Sequence, residues 1–121
     1  MDIQELRREA QTMQPQLTAD RRRLHRNPEA GAVLPETVAY VKKRLTEMGY
    51  HPQELGGGLT ATVTGTDTGR CILLRADMDA LRGQEQSGLS FRSENGCMHA
   101  CGHDMHTAML LGADQLLMRH R

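Results

Sequence analysis

Nine residues in the last quarter of the chain, Met98-His99-Ala100-Cys101-Gly102-His103-Asp104-Met105-His106, hold three histidines, a cysteine and an aspartate. Thiolate and imidazole are good ligands for zinc and similar divalent ions. Cys101 and His103 stand two apart, and the conformational freedom of Gly102 between them lets both side chains reach one ion. Asp104 and His106 serve beside them as supporting partners or further ligands, because groups behind a liganding histidine fix its tautomer and ring orientation. Taken singly, each of these residues reads as an ordinary surface or core side chain. Their clustering points to metal, and the residues by themselves leave both readings open.

A second chemical stretch is Arg75-Ala76-Asp77-Met78-Asp79. It follows Cys71-Ile72-Leu73-Leu74, which is apolar on both faces and predicts a central strand covered on each side. Residues two apart on an extended segment point the same way, so Asp77 and Asp79 face one site. In open α/β sheets, sites are built at the carboxyl ends of strands. The alternative is a pair of solvated loop acids. His25, near the end of a helix, reads as structural.

Positioning these groups requires a layered α/β arrangement. Leu6, Met13, Leu17 and Leu24 recur at helical spacing between residues 3 and 26, with Pro15 marking a restart and Asn27-Pro28 the end. Pro35-Glu36 opens a second helix with Val38, Val41, Leu45 and Met48 on one face and Gly49 at its C-terminal cap. A short edge strand is expected within 50–55, a turn at Gly56-Gly57-Gly58, and a half-buried strand over 59–64. The turn 65–69 leads to the central strand, and residues 81–96 carry no strong pattern. A third helix runs from His103 or Met105 to His120, carrying Met109, Leu110, Ala113, Leu116 and Leu117. The fold class read here is α/β, helices packed on a partial central β-sheet.

A chain of 121 residues is enough for one domain. One Phe, two Tyr and no Trp leave packing to Leu, Val, Ala and eight Met, an adaptable set. Fifteen basic residues balance fifteen acidic ones, so no net field attracts nucleic acid or an anionic membrane. The run Arg21-Arg22-Arg23 with Arg26 reads as a solvated helix face. No apolar run is long enough to span a bilayer. The N-terminus lacks the pattern of a secretory signal, so a cytoplasmic location is expected. Three cysteines do not form a disulfide framework.

The residues quoted above, in their order and spacing, resemble the N-terminal part of the M20 metallopeptidase family in its amidohydrolase branch. That branch includes hippurate hydrolases, N-acyl-amino-acid amidohydrolases and plant auxin-conjugate hydrolases. The segments that carry the resemblance are Arg22-Arg23-Leu24-His25 with Pro28-Glu29, then Glu36-Thr37, and Leu74 through Leu81. Gly88-Leu89 with Phe91 and Met98 through Ala108 complete it. The resemblance implies a co-catalytic two-metal hydrolase acting on an N-acyl amino acid or short peptide. It implies Cys101 and His103 as metal ligands, the thiolate bridging two ions. Asp79 would support the metal shell, and Asp77 occupies a place where related branches carry a liganding histidine. Manganese or zinc, with cobalt or nickel also suited, would fill a complete site.

In the family, a further glutamate and two histidines complete the ligand set, and a Glu-Glu pair supplies the general base. This chain reaches Arg121 without them. The expectation is therefore a partial catalytic domain over 1–121, truncated at its C-terminus, without the satellite domain that usually carries the family's dimer contacts, and inactive alone. Leu81-Arg82-Gly83 replaces the family's Leu-Pro-Ile, which removes a rigid turn and puts a charge at the site rim. Three rival readings stand beside this one. The first is a non-catalytic metal-binding or interaction module using Cys97, Cys101, His103 and His106. The second is half of a split enzyme completed by a C-terminal polypeptide. The third is a remnant exposing an unpaired strand edge.

Overall fold

The computed structural model describes residues 2–66 and 69–121; Asp67 and Thr68 of the expected 65–69 turn lie outside them. Four helices and two small antiparallel sheets follow in the order α1 (Ile3–Thr12), α2 (Gln14–Arg26), α3 (Pro35–Glu47), β1 (Gln53–Leu55), β2 (Gly58–Thr60), β3 (Leu81–Arg82), β4 (Cys97–Met98) and α4 (His103–Arg119). The N-terminal helical pattern is broken at buried Met13, because Pro15 has no amide hydrogen to donate and so begins a new helix. Asp2 caps α1 by accepting the Gln4 amide at 3.0 Å. Asn27 closes α2, its side-chain amide donating to the Arg23 carbonyl at 2.8 Å.

Helix α3 is capped from a distance. The Glu29 carboxylate accepts the backbone amides of Glu36 (3.1 Å) and Thr37 (2.6 Å), two donors that the first turn leaves unpaired. Gly49 follows the C-cap Met48 with φ +101°, the left-handed conformation that ends such helices. The β1–β2 hairpin turns on Gly56 and Gly57, both at positive φ, as a two-residue turn of matching twist requires. At Gly57 a Cβ would also lie 2.5 Å from the Ala32 carbonyl oxygen.

The core joins Leu24 of α2, Val41 and Leu45 of α3, Tyr50 and Leu111 of α4, with Met78, Met118, Leu59 and Val63 packed on it. Helix α4 buries Asp104, Thr107, Ala108, Leu111 and Gly112, a stripe at helical spacing. Met109 and Leu117, apolar residues of this helix, are exposed. Two polar residues hold the head of the stripe because they bond inward, which hydrophobic periodicity does not register.

The expected central strand is corrected here. Residues 70–79 are not part of a strand, and Ile72 and Leu73 are 84% and 87% exposed. The pattern was that of a strand covered on both faces, but no strand lies alongside it among the described residues. The half-buried strand expected over 59–64 is likewise shortened to β2. An open groove of about 520 Å³, lined by Val41, Leu45, Leu59, Leu73, Leu74 and Leu111, runs beneath this segment. Its end is anchored, since the Ala80 amide donates to the Glu29 carbonyl at 2.7 Å and Ala80 bridges Ala30 in parallel. The mixed helix and sheet character stands, with the sheet reduced to two antiparallel pairs. One of them, β3–β4, is built partly from the stretch that showed no pattern, and Leu81-Arg82 forms a strand where the family's rigid turn is missing.

Helices α2 and α3 are pinned by a buried ion pair. Asp20, fully buried, accepts from Arg44 Nε (2.9 Å), the Tyr40 hydroxyl (2.6 Å) and Gln16 (3.2 Å). Burial and the bond to Asp20 both push the Tyr40 phenol up. Replacing Asp20 with Ala leaves Arg44, whose side chain is 12% exposed, without this partner. Chemical denaturation should show a loss of about 3 kcal/mol. Lys42→Ala at the exposed Lys42–Glu54 pair should stay within about 1 kcal/mol of the parent.

Candidate metal centre

The site forms where the extended segment ending at Ala80 meets the first turn of α4. Gly102, at φ +85°, turns the chain into the helix, and its carbonyl accepts the amides of Met105 (3.0 Å) and His106 (3.1 Å). His103 and His106 are then three apart on one helix face, their rings stacked with centroids 5.6 Å apart. Opposite them stands the extended segment, which is tied to the helix by Thr107 Oγ1 donating to the Asp77 carbonyl at 2.9 Å.

His103 Nδ1 lies 2.8 Å from the Asp79 carbonyl oxygen and 3.0 Å from its Oδ1. That leaves Nε2 directed at Asp77 Oδ2, 3.3 Å away. The other oxygen of Asp77 lies 2.8 Å from His106 Nδ1. The hydrogen bond from His106 outweighs partial burial and holds the Asp77 carboxyl below the usual carboxylate range. Asp77, His103 and His106 thus offer ligand atoms that all lie within 4.8 Å of one another. A carboxylate with two imidazoles, one of them backed by a second carboxylate, suits zinc, manganese and related ions.

The remaining expected residues fall elsewhere. Cys101 is exposed on the bend before α4, and its thiol is not in that group. Cys97 is not in it either; it belongs to β4, its carbonyl accepting Ser93 Oγ at 2.5 Å. The closed site of Cys97, Cys101, His103 and His106 is therefore not assembled. Asp104, 1% exposed, turns inward, where Oδ2 accepts from Arg21 Nε (2.9 Å) and faces His25 Nδ1 (2.8 Å). These contacts tie the first turn of the helix that carries both histidines to α2.

Sequence reasoning missed the network behind Asp104. His25 is its hub: Nδ1 meets Asp104, and Nε2 lies 3.0 Å from Glu85. Two carboxylates facing both ring nitrogens hold the ring in one orientation. Burial opposes ionisation of Glu85, but hydrogen bonds from Ser87, His25 and the Ser93 amide outweigh it and bring its pKa down to about 2. His99 lies beside this network, its ring centroid 6.4 Å from that of His25, buried with neither ring nitrogen bonded to protein. Burial pushes its pKa down. Glu85 sits in the patternless stretch, so nothing local marked it.

Residues 73–121 match the sequence profile of peptidase family M20/M25/M40. Over these residues the chain resembles that family. It is 46% identical over 113 residues to N-acetyl-L-cysteine deacetylase of Bacillus subtilis, a match covering 91% of this chain and 27% of that protein. The same fold recurs in a putative aminohydrolase from methicillin-resistant Staphylococcus aureus, with a TM-score of 0.90 and 34% identity over 96% of this chain and 31% of that one. It recurs also in the YXEP protein of B. subtilis, a dinuclear metal-binding peptidase of family M20, with a TM-score of 0.85 and 36% identity over 90% of this chain and 32% of that one. The chain spans about a third or less of the length of the relatives it matches. No helix among the described residues is long and apolar enough to cross a membrane.

The Glu85 network makes a testable contribution to stability. An acid whose folded pKa is depressed stabilises the fold above its ordinary value of 4.5, and that contribution is lost as pH falls toward about 2. Glu85→Gln should therefore be less stable than the parent at neutral pH. Urea unfolding at a series of pH values should show the gap closing over that acid range.

Proposed function

We propose that this chain belongs to the M20 family and is part of the catalytic domain of a metal-dependent amidohydrolase that cleaves the amide bond of N-acyl amino acids or short peptides. The observation that carries the reading is the Asp79–His103 contact. With Nδ1 committed to Asp79, His103 presents Nε2 as a metal ligand in one fixed orientation. Cys101, on the bend just before the helix, supplies a thiolate as the second ligand. Asp77, Asp79, His106 and buried Asp104 hold the geometry. Two divalent ions, manganese or zinc with cobalt or nickel as alternatives, would polarise the scissile carbonyl and acidify an attacking water when the site is complete. The substrate class follows the deacetylation of an N-acyl amino acid named for the B. subtilis relative.

Four of the described glutamates are engaged elsewhere: Glu29 caps α3, Glu85 holds His25, Glu47 pairs with Arg44 and Glu9 with Arg119. The carboxylates that contact His103 are Asp79, bonded to its Nδ1, and Asp77, bonded also to His106, whereas a general base must be free within hydrogen-bond reach of the water. We therefore propose that the chain alone is inactive. Activity would need a polypeptide carrying the remaining ligands and the base, and a dimer would form through that longer protein. The reading includes a cytoplasmic location.

The test is a chimera in which this chain replaces the matching segment of N-acetyl-L-cysteine deacetylase. It should release free amino acid from N-acetyl-L-cysteine only when loaded with metal, and Asp79→Ala should lower metal affinity or rate by about 10–100-fold. A folded, metal-loaded chimera without turnover, beside an active parent, overturns the proposal. So does turnover by the isolated chain at the parent's rate, for the part concerning the missing base.

A further inference from the structure

We infer that two copies of this chain pair through residues 70–76, antiparallel about a two-fold axis at Ile72, with Arg70 of each copy placed against Asp114 of the other. The contact uses no residue of the metal centre. It belongs to the chain as it stands and is distinct from the dimer proposed above for the longer protein.

Three observations lead to it. The first is an open edge with an apolar surface. Ile72 and Leu73 are 84% and 87% exposed, Leu74 is 49% exposed, and no strand lies beside them among the described residues. The backbone groups of an unpaired extended segment are a template for another strand. The groove beneath, with Val41, Leu74, Leu110 and Leu111 among its walls, opens toward the same partner. An added strand covers both, its main chain on the edge and its side chains over the groove.

The second is a carboxylate without a cation. Asp114 lines that groove, and its backbone carbonyl accepts the Tyr50 hydroxyl, but its carboxylate makes no hydrogen bond or ion pair among the described residues. Burial acts on it unopposed and pushes its pKa up to about 6. A half-buried acid in this state favours an occupant that brings a positive charge.

The third is that the segment itself carries that charge. Arg70 and Arg75 flank Cys71-Ile72-Leu73-Leu74, and neither has an ion pair among the described residues. Thr107 is tied to the Asp77 carbonyl, and the rise of α4 from Thr107 to Asp114, about 10 Å, matches the run of the extended segment from Asp77 back to Leu74. Asp114 is therefore level with Leu74. Leu74 and Met78 share one side of the segment, the side on which Met78 packs against the core. A two-fold axis at Ile72 sets the partner's Arg70 opposite Leu74 and on that same side, beside Asp114. It also sets Cys71 against Leu73 and Ile72 against itself. An axis between Ile72 and Leu73 would instead oppose Arg70 to Arg75, a like-charge pair that destabilises. Fifteen basic residues against fifteen acidic ones leave no net charge to hold two copies apart.

Sedimentation equilibrium of the whole chain, with chelator present to exclude bridging by metal, should show a reversible monomer–dimer equilibrium that goes no further. Ile72→Lys, which opposes two lysines at the axis, should abolish the dimer; its circular dichroism should match the parent's, because Ile72 lies outside the core. Arg70→Ala and Asp114→Asn should each weaken the dimer by about tenfold or more, as the loss of a hydrogen bond to a charged group does. The double variant should be no weaker than either alone, since both remove one contact. With Cys71, Cys97 and Cys101 changed to Ser, Ile72→Cys should form a covalent dimer on mild oxidation, while Val33→Cys, also exposed, should not. A chain that stays monomeric at every concentration overturns the inference and leaves the edge to a strand of another polypeptide. So does a dimer that Ile72→Lys leaves intact, or an assembly that grows beyond two, which is the mark of head-to-tail rather than two-fold pairing. Arg70→Ala and Asp114→Asn without effect, beside a disrupting Ile72→Lys, overturn the Asp114 contact and the register built on it. The metal-hydrolase reading stands or falls separately, with the chimera described above.

Discussion

The contact between Asp79 and His103 is the constraint on which the centre depends. It commits one ring nitrogen to a carboxylate and a carbonyl on the extended segment, and so determines where the other nitrogen points. An imidazole free to rotate on an exposed helix terminus has no preferred ligand direction. Tied at one nitrogen, it becomes a directed donor. The same contact joins two pieces of chain 24 residues apart, so the ligand set exists only once the extended segment and α4 have met.

A buried polar network keeps that meeting place rigid. Asp104 belongs to the first turn of α4, yet its carboxylate reaches across to Arg21 and His25 on α2. His25 then passes the tie to Glu85 in the connection between β3 and β4. Charges this well covered persist only when paired and hydrogen-bonded, because an unpaired partner retains the whole cost of desolvation. The network therefore tolerates little displacement of α4 against α2. His99, beside it, is the exception: a buried ring with neither nitrogen hydrogen-bonded to protein.

On its other flank the extended segment is bare. Ile72 and Leu73 face outward while Asp77 and Asp79, a few residues on, are firmly placed. The difference is one of partners. The end of the segment is held by Glu29, Thr107 and His103, whereas the strand-like stretch before it pairs with no strand among the described residues. Apolar residues in this state form an edge, the feature folded proteins ordinarily cover or interrupt.

The sequence by itself determined the local structure. Pro15, Pro35, Asn27 and Gly49 set helix boundaries through backbone chemistry that acts within a few residues. The run of glycines marked the turn between β1 and β2, and the clustering of Cys101, His103, Asp104 and His106 marked the stretch where α4 begins as a candidate site. Tertiary structure decided what those residues do. Asp104 and His106 are two apart, yet one faces the core and the other the solvent, because the helix rotates successive side chains about its axis. The long-range partners Glu85 for His25, Asp104 for Arg21 and Glu29 for the head of α3 had no local signal. Their value comes from packing segments distant in the chain, and neither periodicity nor spacing records which carboxylate will arrive. The pattern at 71–74 showed a strand made to be covered on both faces, and only the assembled chain shows whether a covering strand is there.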